Sequence, residues 1–272
     1  MKTLQQLKIV GMLLIFNIPI FSSAQDGSEE QPETYYLTVT KAHFNFDKEV
    51  KYADWLASEK EYFDKVTKKN DLILGSGIYT HYFTPDNSEV FFVDLYKTWN
   101  DIEESGTKSA ELAKEAWAND DERAAFMKKQ SSYYTTFHSD EIYSTLPFNK
   151  PLKTTSKEPL IFYVKKNELK FSEGANPDNF KTYFENITMK NPYIKGYYTN
   201  RHAWGSNSRE FMEVFVFEKF EDIEKALNEN KTLEEKFWPD KEKRTAFFKE
   251  FNKLFTGKHG DYILRNVPEL AK

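Results

Sequence analysis

The sequence predicts an α+β protein built from two copies of one β-α-β-β-α-β unit. Residues 60–147 align without a gap on residues 181–268, and 25 of those 88 positions are identical. Such an internal repeat sets the architecture, because each copy is one structural unit that packs against the next. The chain has 272 residues, of which 17% are aromatic, so it is long enough to form two small, ring-rich cores.

Residues 1–24 have the layout of a secretory signal peptide. Lys2 and Lys8 precede an apolar run from Ile9 to Phe21, and small residues follow up to Ala24. That run is too short for a bilayer span, which needs about 20 helical residues. An uncleaved anchor is the main alternative. We therefore expect a soluble exported protein, periplasmic or extracellular, with no membrane span after signal removal.

Changes in composition divide the remaining chain. Residues 25–34 are polar and predict a mobile leader. The first repeat then occupies residues 35–147, and the second occupies residues 159–272. Between them, residues 148–158 are rich in Lys, Thr, Ser and Pro and predict a linker.

Within each repeat, apolar periodicity predicts the elements. Tyr35–Lys41 is β-branched and aromatic and predicts the first strand. Apolar residues at helical spacing follow over 47–69. The first repeat is then completed by strands 72–83 and 89–96, helices 100–114 and 120–130, and strand 133–143. The second repeat is predicted as strand 160–166, helix 177–190, strands 193–204 and 209–217, helices 221–236 and 240–253, and strand 254–264.

Charge and cysteine content exclude several functions. The formal net charge is −5 and there is no cysteine. An acidic chain lacks the basic surface that nucleic acids require, so we expect no nucleic-acid partner. Cysteine nucleophiles and cysteine-based metal sites are excluded as well. We expect a monomer or a weak dimer.

The two faces of the third strands suggest how the copies pack. Phe91, Val93 and Leu95 form an unbroken apolar face that suits packing on helices. The opposite face is aromatic but carries Asp94 in the first copy and Glu213 in the second. We expect that face to be buried where the two sheets meet, with both carboxyl groups at a ligand site and their pKa values raised by burial. The alternative is that each carboxylate pairs with Arg or Lys or faces a wet barrel mouth.

This order of elements and its duplication resemble the dimeric α/β-barrel superfamily. In that superfamily two ferredoxin-like units close their sheets into a barrel, and here both would lie in one chain as an intramolecular α/β barrel. The resemblance covers nearly all of 35–268. It implies relatives such as heme-degrading monooxygenases, chlorite-dismutase-like heme proteins, cofactor-free monooxygenases and small-molecule-binding modules. No motif assigns a subfamily or a site.

Four of the five histidines occupy equivalent positions in the two copies. They are His81 with His202 and His138 with His259, and Asp140 matches Asp261. Each last strand thus contains His-x-Asp, whose two side chains share a strand face. An Asp beside a His fixes the tautomer of the imidazole ring, as metal-ligating and catalytic histidines require.

Closing the barrel would bring the second strand of one copy beside the last strand of the other. We therefore expect His81 near His259 and Asp261, and the equivalent cluster around His202. Two His and a carboxylate form a known ligand set for divalent metals. The alternative is a pair of satisfied polar contacts at a sheet edge.

The second strands carry further ligand-binding candidates. Tyr79, Phe83 and His81 share one strand face, and Asn200, Trp204 and His202 share the equivalent face. We expect an apolar cavity that takes a small apolar or aromatic ligand. Two alternatives remain open: a monooxygenase-like or heme-handling enzyme, and an interaction protein with a fully packed barrel. The cofactor is unknown, with heme or a divalent metal left open.

Overall fold

The computed structural model describes residues 33–47, 51–153, 156–171 and 174–272. The predicted signal peptide and nearly all of the predicted leader lie outside these ranges. Within them, no helix has both the length and the apolar character needed to cross a bilayer.

Eight antiparallel strands form a closed barrel, as expected for the predicted α+β class. Around the barrel the order is β1-β3-β2-β8-β5-β7-β6-β4, and β4 pairs back with β1. The strands are β1 Tyr36–Phe44, β2 Gly75–Phe83, β3 Glu89–Tyr96, β4 Tyr134–Thr145, β5 Ile161–Leu169, β6 Gly196–Trp204, β7 Glu210–Phe217 and β8 Phe255–Ala271.

Six α-helices accompany the barrel in the described ranges. They are α1 Tyr52–Lys65, α2 Trp99–Ala116, α3 Asp120–Ser131, α4 Asp178–Tyr183, α5 Asp222–Phe237 and α6 Lys241–Phe251. Helix α2 begins with a capping box, in which Thr98 and Asp101 satisfy each other's backbone N–H groups. The helix predicted over 177–190 is shorter than expected, because α4 gives way to a π-helical turn at Phe184–Thr188.

The two halves meet along two seams. Strand β2 pairs with β8, where Thr80 lies opposite Arg265, and β4 pairs with β6, where Ser144 lies opposite Arg201. These are the strand pairs that the sequence predicts. Closure leaves no unpaired strand edge in the barrel, which removes the usual site of edge-to-edge aggregation.

Strands β1 and β5 run in the same direction. Four antiparallel steps separate them around the barrel, so their carboxyl ends lie at the same end. We call this the upper end. Because β3 and β7 run oppositely, their first residues, Glu89 and Glu210, lie at the upper end as well.

Equivalent residues of the two halves make equivalent contacts outside the barrel. Asn70 and Asn191 are fully buried. The amide of Asn70 donates to the carbonyl oxygen of Ser105 at 2.9 Å, and that of Asn191 donates to the carbonyl oxygen of Ala226 at 2.9 Å. Each bond ties the turn before a barrel strand to the following helix, so the cores repeat together with the sequence.

Candidate ligand cavity

The barrel contains a cavity of about 1220 Å³ that is open to solvent. Typical ligand pockets measure roughly 300–1000 Å³, so there is room for a ligand the size of a cofactor. Most of the wall is apolar, because strands from both halves turn aliphatic and aromatic side chains inward. These include Val39, Phe91, Val93, Phe162, Val164, Met212, Val214 and Leu264.

The faces of the third strands are reversed from the prediction. Phe91, Val93 and Leu95 line the cavity and do not pack on the helices. Both faces of β3 are largely apolar, so alternation cannot tell inside from outside. Shifting the assignment of inward-facing residues by one position exchanges the two faces of the strand.

Asp94 and Glu213 consequently lie outside the cavity lining, contrary to the expectation. The Glu213 carboxylate accepts hydrogen bonds from the Tyr197 hydroxyl and the Asn167 amide, both at 2.7 Å. Burial raises the pKa of Glu213, and burial also raises that of Asp94, whose carboxylate is bonded by Ser76. Both carboxyl groups are thus satisfied within the wall of the protein, and neither faces a ligand.

The two His-x-Asp pairs form but lie at the surface. A His138 nitrogen lies 3.3 Å from an Asp140 oxygen, and a His259 nitrogen lies 2.8 Å from an Asp261 oxygen. All four side chains are at least 41% exposed. Asp261 also accepts a hydrogen bond from Tyr163. Only Asp140 borders the cavity, so the pairs behave as solvated polar contacts.

The predicted His/His/Asp clusters do not form. His81 lies opposite Leu264, five residues along β8 from His259, which is about 16 Å at roughly 3.3 Å per residue. His202 lies opposite Tyr143. No group of three metal-ligating side chains occurs in the described ranges. The sequence identifies which edges meet but not their register, which decides these distances.

Of the second-strand candidates, two line the cavity. Phe83 and Trp204 are 56% and 67% exposed and lie outside it. Tyr79 packs edge-on against Phe162 at 4.8 Å, and burial raises the pKa of its hydroxyl to about 12. Asn200 is buried, and its amide has no side-chain hydrogen bond with any described residue. Both polar groups therefore remain available inside the cavity.

Two glycines of the second strands lie close to tyrosines of the cavity wall. A Cβ on Gly77 would stand 3.1 Å from the Tyr79 hydroxyl oxygen, and one on Gly196 would stand 3.4 Å from the Tyr198 ring. Real Cβ atoms rarely approach neighbours at the first of these distances, so Gly77 makes room for the ring.

A buried charged cluster lines the upper part of the cavity. Lys166 Nζ lies 3.2 Å from a Glu141 oxygen and 2.9 Å from a Glu210 oxygen. The Tyr143 hydroxyl contacts both carboxylates and lies 2.9 Å from Lys166 Nζ. The other Glu141 oxygen accepts a hydrogen bond of 3.0 Å from Ser206. We refer to Glu141, Tyr143, Lys166 and Glu210 as the upper cluster.

The electrostatics of the upper cluster keep its charges in place. Burial opposes the charge of Lys166, but Glu210 and Glu141 outweigh it and raise the lysine pKa above its usual value. Burial likewise opposes the charge of Glu141, but the Tyr143 hydroxyl and Lys166 lower its pKa. Two carboxylates against one ammonium give the cluster a formal charge of −1.

The opposite wall carries a simpler version of the same arrangement. Lys41 Nζ lies 3.1 Å from a Glu89 oxygen, and Glu89 has only 3% of its side chain exposed. The strand registers place Lys41 and Lys166 at equivalent positions. The alignment of the two repeats does not pair these lysines, because it has no gaps and begins only at residue 60. The position of Glu141 is taken by Tyr262 in the second repeat, so this wall lacks the extra carboxylate.

Comparisons with solved structures show the same fold. A candidate monooxygenase from Fusobacterium nucleatum superposes with a TM-score of 0.54 at 13% identity, over 87% of this chain and 94% of that one. A second candidate monooxygenase, from Lactobacillus acidophilus, superposes with a TM-score of 0.51 at 10% identity, over 88% of this chain and 99% of that one. A chlorite dismutase variant from Candidatus Nitrospira defluvii superposes with a TM-score of 0.51 at 13% identity, over 87% of this chain and 92% of that one.

These neighbours are members of the dimeric α/β-barrel superfamily, and the closed eight-stranded barrel fits it. At such low identity the likeness shows the fold alone. No protein-family profile matches the sequence. No curated protein matches it either, so no subfamily is assigned.

The cavity lining gives no positive support for a heme site. Heme iron needs an axial His, Cys, Met or Tyr ligand, and none of the described histidines lines the cavity. Tyr79 does line it, but a pKa of about 12 disfavours the phenolate that would bind iron. Tyr198, Tyr262 and Met212 also line the cavity and are the remaining residues of an axial-ligand type. We therefore derive no chemistry through heme.

Proposed function

We propose that this protein is an exported small-molecule-binding protein, whose tandem ferredoxin-like repeats form an intramolecular barrel around a small apolar or aromatic ligand. The observation that carries this proposal is the cavity of about 1220 Å³ inside the closed barrel. A barrel of eight strands is just wide enough either to be filled by side chains or to hold one small ligand. The volume favours the second arrangement.

The chemistry of the wall supports binding. Ligand sites are mainly apolar with a few fixed polar groups that orient the ligand. Here the apolar wall carries the hydroxyl of Tyr79 and the amide of Asn200, which occupy equivalent positions on the two halves. Because a phenol faces an amide across the barrel, the site is asymmetric. A single orientation of the ligand is therefore expected.

The two alternatives receive less support. A fully packed interaction protein does not fit a cavity of this size. A monooxygenase-like or heme-handling activity is supported by the fold of the neighbours only, and function does not follow from fold. No described histidine lines the cavity, so its hydroxyl groups have no imidazole base beside them, and we favour binding over catalysis.

A ligand panel followed by thermal unfolding tests the proposal. Flavins, quinones, heme and aromatic metabolites are each added to the purified mature chain. A ligand at about 100 times its Kd stabilises the folded state by about 2.7 kcal/mol, which raises Tm by several degrees. Asn200→Leu should reduce the shift, whereas His202→Ala, on the same strand but outside the lining, should not. If no compound in the panel raises Tm, binding by the cavity loses its support.

A further inference from the structure

We propose that the cavity selects ligands that carry a cationic amine on an apolar or aromatic body, and that Glu210 receives the ammonium group. This inference rests on the proposed binding function and adds the chemical class of the ligand. Its basis is the upper cluster, which combines a formal charge of −1 with direct access to the cavity.

The hydrogen bonds of the cluster leave one acceptor free. Both oxygens of Glu141 are engaged, one by Ser206 and the other by Lys166 and Tyr143. Lys166 and Tyr143 also bind one oxygen of Glu210. The second Glu210 oxygen has no partner among the described residues, although Glu210 lines the cavity and is only 9% exposed. This oxygen keeps accessible surface, unlike the second oxygen of Glu89, which is fully buried without a partner, so an ammonium group in the cavity can reach it and form a charge-assisted hydrogen bond.

The opposite wall adds no compensating positive charge. Lys41 also lines the cavity, but it is paired with Glu89, so this pair is neutral. The two lysine clusters together therefore keep one negative charge in excess, and Asp140 adds a further carboxylate to the lining. Below these clusters, the walls are mainly apolar, with Tyr79, Asn200 and Tyr262 among their uncharged polar groups, and Lys272 lies at the opposite end of the cavity. A ligand that complements both regions has a cationic donor at one end and an apolar body.

Three fluorescent probes of the same shape test this selectivity. They are 1-pyrenemethylamine, 1-pyrenemethanol and 1-pyrenecarboxylate, titrated at pH 7 and about 0.15 M salt, where charges at the exposed surface are largely screened. A charge-assisted hydrogen bond is about twice as strong as a neutral one. We expect the amine to bind at least about tenfold more tightly than the alcohol, and the carboxylate to bind most weakly.

Glu210→Gln is the direct variant, and Glu61→Gln, which removes one carboxylate from an exposed pair with Lys65 outside the cavity, is its control. Glu210→Gln should bring the amine to within about twofold of the alcohol and leave the alcohol nearly unchanged. Glu61→Gln should keep the preference. The ranking of the three probes by the unaltered protein needs no variant, so it decides the matter even if a variant fails to fold.

Each outcome has a distinct meaning. Binding of the alcohol as tightly as the amine would overturn the selectivity and leave the binding function intact. Equal weakening of the amine and the alcohol in Glu210→Gln would overturn the role of Glu210. Failure of all three probes would contradict the proposed function itself, and the selectivity would fall with it.

Discussion

Lys166 Nζ lies 2.9 Å from a carboxylate oxygen of Glu210, and the equivalent pair on the opposite wall, Lys41 and Glu89, is separated by 3.1 Å. An ion pair therefore lies at the upper end of the barrel on each of two opposite walls. The pairs differ in their surroundings, because only Lys166 meets a second carboxylate, from Glu141. The wall that carries Lys166 therefore has one carboxylate more than the wall that carries Lys41.

Removing Lys166 should be strongly destabilising. Lys166→Met leaves Glu141 and Glu210 buried without a cation, and breaking a buried ion pair from one side costs about 3–5 kcal/mol. The free energy of unfolding measured in urea should fall by that amount. Lys60→Met, which removes an exposed ion pair with Asp64, should cost less than about 1 kcal/mol. Similar losses in the two variants would show that the upper cluster is not effectively buried.

Glu213 should make stability depend on pH in a particular direction. Its pKa is raised in the folded state above the usual 4.5, so the folded protein binds a proton more tightly than the unfolded chain. Stability is then present below pH 4.5 and is lost as pH rises through the folded pKa. Glu213→Gln should flatten this fall in a urea titration across that window. A slope identical to that of the unaltered protein would assign the dependence elsewhere, Asp94 being the next candidate.

Two glycines should respond oppositely to alanine. Gly77→Ala places a Cβ 3.1 Å from the Tyr79 hydroxyl, so the ring must shift by a few tenths of an ångström, and we expect Tm and probe binding to fall slightly. Gly106 lies in the exposed part of α2 with no atom within 4 Å of an added Cβ. Gly106→Ala should raise stability by up to about 1 kcal/mol through helix propensity. Retained probe binding in Gly77→Ala would show that Tyr79 does not shape the site.

The separate halves should not fold. Residues 25–150 alone would expose the edges of β2 and β4, which pair with β8 and β6 in the barrel, and residues 151–272 would expose the complementary edges. Unpaired edges together with an exposed apolar sheet face favour aggregation. Circular dichroism and denaturant titration of each half should show no cooperative unfolding. A folded, monomeric half would contradict the intramolecular barrel.

The sequence predicts the barrel well, because the repeat and the apolar periodicity depend on local spacing. The strand Glu89–Tyr96 has its predicted bounds, and both seams join the expected strands. The site is less predictable, because it depends on which face of β3 turns inward and on the register between β2 and β8. Neither follows from alternation when both faces are apolar, and this accounts for the misplacement of Asp94 and His81.

The upper cluster was missed for a different reason. Glu141, Lys166 and Glu210 come from three strands that are distant in sequence and become neighbours only when the barrel closes. Glu210 does match Glu89 in the repeat, so this identity was a usable signal. Its partner lysines are equivalent only by strand register, which the sequence does not show.

Filling the cavity tests the central claim most directly. Val214→Trp adds a large ring to the inner wall, and Leu227→Trp adds the same ring at an exposed position of α5. The unaltered protein and Leu227→Trp should bind one equivalent of 1-pyrenemethanol with the same affinity. Val214→Trp should bind it at least about tenfold more weakly, since a filled pocket offers little apolar area to the ligand. Equal binding by all three folded proteins would contradict a ligand site inside the barrel.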